Sequence, residues 1–520
     1  MPFFKTDDLQ LWTGGSWKNL STPKPDIRGF SIDSREMSKD FAFVALKGHR
    51  DGCEFAADAV KNGATAVIAD RELDVGVPVL VVKDALRAFQ RIAKFHRLRF
   101  ENPVVGITGS CGKTSTKHML ARLLDWKNPL VTEKNFNNEI GVPLTLTRID
   151  MRQNQMAIVE AGVGAPGQME ELADMIEPDI AIITNVGLTH LEGFKEISAV
   201  AREKARMGEH VSANGWCVMH QNLLSWKAFD ELTCKKAILA AAEAPEVKAD
   251  LVFRYSISPA ENSAYGIDMC VEGGDEYYFE APDMSRGMVE NLLLAIATAL
   301  MLGAKEEQIQ SRIETIRPLP MRGSVVETPR AKYYIDCYNA SPTSMRDALA
   351  HFAKISSDSP KKLYVLGSMA ELGLATHRHH KEIGSNIPAD PLSRAILVGA
   401  NAEIYKAGMT EKGWAEENIE VYPTAQEARK SLEKFEGGFV FVKGSRICEL
   451  EKALPEDVVE IMEKPAEIPM QKEEEEPEEI QENPAEDAPK AADESEEEEF
   501  QEEEFDQEII SRESEDERDL

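Results

Sequence analysis

The residues Gly106-Ile-Thr-Gly-Ser-Cys-Gly-Lys-Thr stand between an apolar run, Pro103-Val-Val-Gly-Ile-Thr, and a helical stretch over 114–124. A loop of small residues that closes a strand and opens a helix is what nucleotide phosphates need. Backbone N–H groups can approach the oxygens, and the helix N-terminus adds favourable partial charge. Lys113 can neutralise the β- and γ-phosphates, and Thr114 can place a hydroxyl on Mg²⁺. Gly109, Ser110, Cys111, Gly112, Lys113, Thr114 and Ser115 are therefore the expected ATP-binding loop. Ile107 occupies the position of the first glycine in the strict phosphate-loop pattern, so the wording is the narrower Thr-Gly-x-x-Gly-Lys-Thr.

Further polar residues stand at chemically useful places. Glu160 follows Met156-Ala-Ile-Val and would close a strand at the end where open α/β sheets bind ligands. It reads as a metal ligand or as a solvated carboxylate. His190 follows the run 180–184 and a Gly turn; on its own it reads as a packing or capping residue. Lys204, in Arg202-Glu-Lys-Ala-Arg, reads alone as a solvated surface lysine. The amides of Asn135, Asn137 and Asn138 could orient substrate or phosphate oxygens, or simply make a turn. Ser31, Asp33, Ser34 and Arg35 offer a guanidinium and backbone N–H groups to a diphosphate, and alone also read as a surface turn.

The elements that must position these groups follow from the apolar runs. Phe41-Ala-Phe-Val-Ala-Leu, Ala66-Val-Ile-Ala and Val77-Pro-Val-Leu-Val-Val alternate with helical stretches such as 54–62. This is a small α/β domain, expected over 1–97. From Pro103 the runs at 156–159, 180–184 and 216–219, with helices between them, predict a parallel sheet covered by helices. An apolar helix over 291–302 closes that segment, and Pro318-Leu-Pro breaks the chain. The central domain is thus expected over 98–317. Tyr333-Tyr-Ile-Asp, Lys362-Leu-Tyr-Val-Leu, Ala395-Ile-Leu-Val and Gly438-Phe-Val-Phe-Val predict another open α/β sheet over 318–463. The fold class is α/β, in three domains plus a tail.

Composition sets the outer limits. Of 520 residues 42% are hydrophobic, enough for sizeable cores. No apolar run approaches the roughly 18–20 residues of a membrane span. The N-terminus lacks a basic region followed by an apolar stretch, so a secretory signal is not expected. Seven cysteines are scattered singly, without Cys-x-x-Cys, which suits a reducing cytoplasm rather than disulfides or structural zinc. The net charge of −32 excludes a generic nucleic-acid binder. Residues 463–520 hold 27 acidic and 5 basic side chains, which is −22 of that total. The segment 464–520 is therefore expected to be a disordered acidic tail, either a solvating extension or a handle for a basic partner.

Taken in order, these blocks resemble the Mur ligases, the ATP-dependent amide-forming enzymes of peptidoglycan precursor synthesis. They are Ser31-Ile-Asp-Ser-Arg with Asp51-Gly52, the loop at 106–114, Asn135-Phe-Asn-Asn-Glu-Ile-Gly-Val-Pro and Glu160. Thr184-Asn-Val-Gly-Leu-Thr-His-Leu-Glu-Gly-Phe, Lys204, Asp336-Cys-Tyr-Asn-Ala-Ser-Pro, Leu366-Gly-Ser-Met-Ala-Glu-Leu-Gly and Lys443-Gly-Ser-Arg complete the set. The 190–194, 338–342 and 369–373 blocks resemble the branch that adds D-alanyl-D-alanine to UDP-MurNAc-tripeptide.

The resemblance implies a three-domain cytoplasmic enzyme, read here as a monomer, that binds UDP-substrate, ATP and dipeptide in turn. It implies catalytic roles for Lys113, Glu160, His190 and Lys204. Thr114, Glu160, His190 and a CO₂-derived carbamate on Lys204 would hold two Mg²⁺ ions. Asn291, Arg322, Asp336, Tyr338 and Asn339 would contact ATP. Asn135, Asn137, Asn138 and the residues Ser31, Asp33, Ser34 and Arg35 would contact the UDP-substrate. The chain departs from the family wording at Ala205-Arg206, Gly287-Met288, Met321, Ile335 and Ser368. A sister ligase with another amino acceptor, and an ATP-binding scaffold without catalysis, are the alternatives.

Overall fold

In the computed structural model, residues 3–260 and 264–463 are described; the expected acidic tail, 464–520, lies outside them. The first sheet contains β1 (Ser16–Lys18), β2 (Gly29–Ser31), β3 (Phe41–Val44), β4 (Ala66–Ala69) and β5 (Val79–Val81). Their order is β1-β5-β4-β3-β2, parallel except for β1. Helix Ala85–Leu98 follows, started by Asp84, whose carboxylate accepts from the N–H groups of Leu86 and Arg87. The last turn of this helix fastens the first segment to the second. Arg97, buried, donates to the carbonyls of Ile176 and Glu177 and to the Asp179 carboxylate.

The second sheet has nine strands: β6 (Val104–Thr108), β7 (Leu130–Val131), β8 (Ala157–Glu160), β9 (Ile180–Ile183), β10 (Trp216–His220), β11 (Lys235–Ala241), β12 (Leu251–Ser258), β13 (Tyr265–Val271) and β14 (Glu276–Ala281). The order is β14-β13-β12-β11-β10-β9-β6-β8-β7. Strand β6 lies between β8 and β9, so the chain leaves it toward both sides; ligands bind in the crevice at such a point. Helices Gln168–Ile176 and Ile197–Glu209 cover one face, and Lys113–Leu123 and Arg286–Met301 the other. The expected parallel sheet is found from β7 to β12, and an antiparallel ribbon, β13 and β14, extends it. Sequence reading missed that ribbon because its strands are exposed along part of their length. Their apolar pattern is therefore interrupted.

Beyond Pro318-Leu-Pro the third sheet contains β15 (Ser324–Glu327), β16 (Lys332–Asp336), β17 (Lys362–Gly367), β18 (Arg394–Val398), β19 (Ile419–Tyr422) and β20 (Phe439–Lys443). It runs β15-β16-β20-β17-β18-β19, parallel except for β15. Helix Pro342–Ile355 follows β16. Ser341 caps it by accepting from the Ser344 N–H, and Pro342 supplies a preset first turn.

Candidate active site

The phosphate loop leaves the end of β6 and is held from β9. The Asn185 amide accepts from Cys111 N–H (2.9 Å) and donates to the Cys111 carbonyl (3.1 Å). Thr184 Oγ1 donates to the same carbonyl at 2.5 Å, and Ser110 N–H donates to the Asn185 carbonyl. Two glycines have left-handed φ angles, Gly109 at 151° and Gly112 at 83°. A Cβ on Gly109 would lie 1.8 Å from Thr184 Oγ1, and one on Gly112 would lie 2.3 Å from Asn291 Oδ1. These positions therefore require glycine both for backbone angle and for space. Lys113 Nζ folds back onto the Gly109 carbonyl at 2.9 Å, at the mouth of the loop.

Glu160 closes β8 beside this loop with 1% of its side chain exposed. Its Oε1 accepts from Thr114 Oγ1 (3.1 Å) and from the Asn137 amide (2.8 Å). Its Oε2 lies 3.1 Å from Lys117 Nζ, which also donates to the Thr132 carbonyl at 2.7 Å. Burial opposes the charge on Glu160. The ammonium groups of Lys117 and Lys113 and the Asn137 amide outweigh that cost and hold the carboxyl below its ordinary range. A buried anionic oxygen set against a threonine hydroxyl is the donor pair a hard cation takes. Mg²⁺ needs few protein oxygens because it keeps waters. Thr114 and Glu160 thus fit Mg²⁺.

Lys204 overturns its solvated reading. It sits in helix Ile197–Glu209 at 2% exposure, and its amine has no hydrogen-bond or ion-pair partner among the described residues. Burial, then the nearby Lys113 ammonium, push its pKa down to about 7. His190 sits at φ 54° before the short helix Leu191–Phe194. Its Nδ1 pairs with the Glu371 carboxylate from the third domain. Burial lowers its pKa despite Glu371, so the neutral ring is favoured. Of the four expected metal ligands, Thr114 and Glu160 are in hydrogen-bond contact. Among the described residues no group of three or more His, Cys, Asp or Glu side chains could hold a metal. A carbamate on Lys204 would supply oxygens that this set lacks.

The third domain meets the loop directly. Ser341 Oγ lies 3.3 Å from Cys111 Sγ. Asp336 pairs with buried Lys443 at 2.5 Å, across the β16–β20 register. Lys443 also reaches the Asn339 carbonyl, while Asn339 Oδ1 accepts from Ala340 N–H. The Arg322 guanidinium lies over the Tyr338 ring, 3.8 Å from its centroid. Past the ends of β17, β18 and β19 opens a cavity of about 600 Å³. Ser368, Glu371, Asn401, Thr424, Cys448 and Lys452 are among the residues that line it.

In the first domain, Asp33 and Arg35 engage each other through Nε (2.9 Å) and Nη2 (2.6 Å), and Arg35 holds the Asp33 carboxyl down at about 2. Arg35 is 84% exposed, so this turn presents a guanidinium outward. Ser31 Oγ exchanges hydrogen bonds with Asp33, and Ser34 is buried beneath.

Comparison with known proteins matches three family models in chain order. They are the Mur ligase family catalytic domain over 26–97, the Mur ligase middle domain over 107–299 and the Mur ligase glutamate ligase domain over 321–446. A protein of Treponema pallidum, named UDP-N-acetylmuramoyl-tripeptide–D-alanyl-D-alanine ligase, is 30% identical over 451 residues. The match covers 82% of this chain and 93% of that one. The chain belongs to the Mur ligase family.

Solved Mur ligases share the architecture. MurF from Acinetobacter baumannii superposes with a TM-score of 0.75 at 26% identity, covering 89% of this chain and all of that one. MurF of Thermotoga maritima, solved in complex with ADP, gives 0.69 at 25% identity, covering 84% and 97%. In this Mur ligase, Lys113, Thr114, Asn137, Glu160 and Asn291 come together at the end of β6. Asn135 sits in the same loop as Asn137, and its carbonyl accepts from Asn137 N–H. Asn138 turns its amide oxygen to the N–H groups of Ile140 and Gly141, a cap at the start of helix Gly141–Leu146. Sequence reading missed Lys117, and it gave no role to Lys443 and Glu371 although both stand in blocks that carry the resemblance. Lys117 carried a signal, since it lies one helical turn beyond Lys113; the pairing of Glu371 with His190 was not legible, because the two lie in different domains.

Proposed function

We propose that this chain is the ATP-dependent ligase that joins D-alanyl-D-alanine to UDP-MurNAc-tripeptide in cytoplasmic peptidoglycan precursor synthesis. The observation that carries the reading is the match over more than nine-tenths of a relative bearing that name. The ADP complex of a MurF neighbour supports ATP as the nucleotide.

The chemistry follows from charge. Phosphoryl transfer from ATP to the tripeptide carboxylate yields an acyl phosphate and ADP; the dipeptide amine then attacks the acyl carbon and phosphate leaves. Both halves collect negative charge in one place, so the site must supply cations and aimed donors. The N–H groups of 109–115 and Lys113 hold the β- and γ-phosphates. Thr114 and Glu160 would hold Mg²⁺, with His190 and a carbamate on Lys204 as further ligands. When bound, the metal would neutralise charge building on the phosphate. The unpartnered Lys204 amine is neutral above about pH 7, the form that adds CO₂. Lys117 keeps Glu160 ionised and fixed, and Asn137 sets its orientation. Arg35 and its turn take the UDP diphosphate. The third-domain cavity, with Glu371 and Lys452 in its lining, suits a zwitterionic dipeptide. Ser341 against the phosphate loop brings that domain to the reacting phosphate and excludes water from the acyl phosphate.

The deciding experiment is phosphate release from ATP with UDP-MurNAc-tripeptide, with and without D-Ala-D-Ala, in Mg²⁺ and bicarbonate. Dipeptide-dependent release with a UDP-MurNAc-pentapeptide product by mass is expected. Release driven by a different amino acid would move the reading to a sister ligase. ATP binding without turnover of any acceptor would leave a scaffold.

A further inference from the structure

Helix Arg286–Met301 starts with its capping divided between two domains. Ser285 Oγ accepts from Met288 N–H at 3.3 Å in the usual way. The next orphan donor, Gly287 N–H, is taken by Asp347 Oδ1 (3.1 Å), and Ser285 Oγ donates to Asp347 Oδ2 (2.6 Å). Asp347 belongs to helix Pro342–Ile355 of the third domain. A Cβ at position 287 would sit 2.9 Å from Asp347 Oδ2, so glycine leaves room for the carboxylate here. This is one of the places where the chain departs from its family's wording.

The two helices touch the nucleotide loop at separate points. One turn into helix Arg286–Met301, buried Asn291 lies against Gly112. At the head of helix Pro342–Ile355, Ser341 lies against Cys111. The far end of the same helix is tied down as well: Lys354 donates to Asp283 (2.8 Å) and to the Tyr265 hydroxyl (3.0 Å). A carboxylate that accepts from a helix N-terminus is favoured by the helix dipole as well as by the hydrogen bonds.

We propose that Asp347 is a positioning residue that couples closure of the third domain to nucleotide binding. From the third domain it caps the helix that seats Asn291 against the phosphate loop. When the third domain swings away, Gly287 N–H loses its partner and the first turn of that helix loosens. When it closes, the turn is fixed and the loop is braced from both helices. The inference rests on the ligase reading only for its effect on turnover; its effect on ATP binding and on domain separation stands apart.

The test uses the full-length protein with fluorophores on the first and third domains, ATP titration and steady-state kinetics. Asp347→Ala should weaken ATP binding about tenfold, the loss of one charge-assisted contact. It should also raise the donor–acceptor separation in nucleotide-free protein and change kcat at saturating ATP less than threefold, roughly, as loss of uniform binding requires. Gly287→Ala, which keeps the carboxylate but fills its place, should reproduce both effects. The double variant should be no worse than either single one. Asp347→Asn, able to accept from Gly287 N–H, should lie between. Unchanged ATP affinity and domain separation with only a lowered Tm would overturn the proposal, as would additive effects of the two substitutions. Failure of the ligase assay with these binding effects intact would instead count against the reaction.

Discussion

Lys204 and Glu160 lie near the same loop and meet burial in opposite ways. Lys204 has no partner and loses its proton near neutrality; Glu160 has a lysine and remains ionised. Below about pH 7 the Lys204 amine is protonated and cannot add CO₂. Bicarbonate-stimulated activity should therefore fall as pH drops through 7, which rate profiles with and without bicarbonate would read. If Lys204 carries the proposed carbamate, Lys204→Ala should abolish turnover while ATP binding persists, and short carboxylic acids should restore part of the rate by supplying the missing oxygens. The same shift has a stability consequence. Between about 7 and the ordinary lysine value of roughly 10.4 the unfolded chain binds a proton that the folded chain does not. This group therefore makes stability rise with pH across that window. Glu160→Ala would leave the Lys117 ammonium buried without its carboxylate, a loss of about 3–5 kcal/mol measurable by denaturant unfolding. Adding Lys117→Met should recover most of that stability and none of the activity.

At the scale of elements, the phosphate loop works because two strands and two helices converge on it. Strand β6 delivers the loop, β9 clamps it through Thr184 and Asn185, and Asn291 of helix Arg286–Met301 closes against Gly112. Gly112→Ala combines a left-handed residue, costing about 1–2 kcal/mol, with a Cβ driven into Asn291. ATP affinity should fall about 10–100-fold, read by calorimetric titration, while circular dichroism stays that of the parent. The loop was legible in the sequence because its glycines, lysine and threonine are contiguous and their neighbours spell a strand and a helix. The antiparallel ribbon β13–β14 was not legible, since half-exposed strands lack a continuous apolar run.

For the whole molecule, the three sheets are fastened in series. Helix Ala85–Leu98 carries Arg97 into the second domain, with Arg87–Glu171 and Lys94–Asp174 alongside. The third domain returns to the second through Ser341, Asp347, Lys354 and Glu371. The matched family domains end at 446, and the last described helix is Glu456–Glu463. A chain ending at 463 should therefore keep kcat and Tm while losing most of the excess negative charge. Ligase assay and calorimetry of that truncation would check it. Lower activity would give the acidic segment a part in the reaction.

The order of the domains, the phosphate loop, Glu160 at a strand end and the ligase family were fixed by the chain alone. Each rests on residues that are neighbours in sequence, and local periodicity carries that information. The state of Lys204 was decided in three dimensions. Its local wording is that of a surface helix, and what buries it comes from strands and helices far along the chain. Lys117 beneath Glu160, Glu371 against His190, and Asp347 on the helix of Asn291 are of the same kind. Each pairs groups whose meeting depends on how sheets and domains pack, and burial then determines which charges survive.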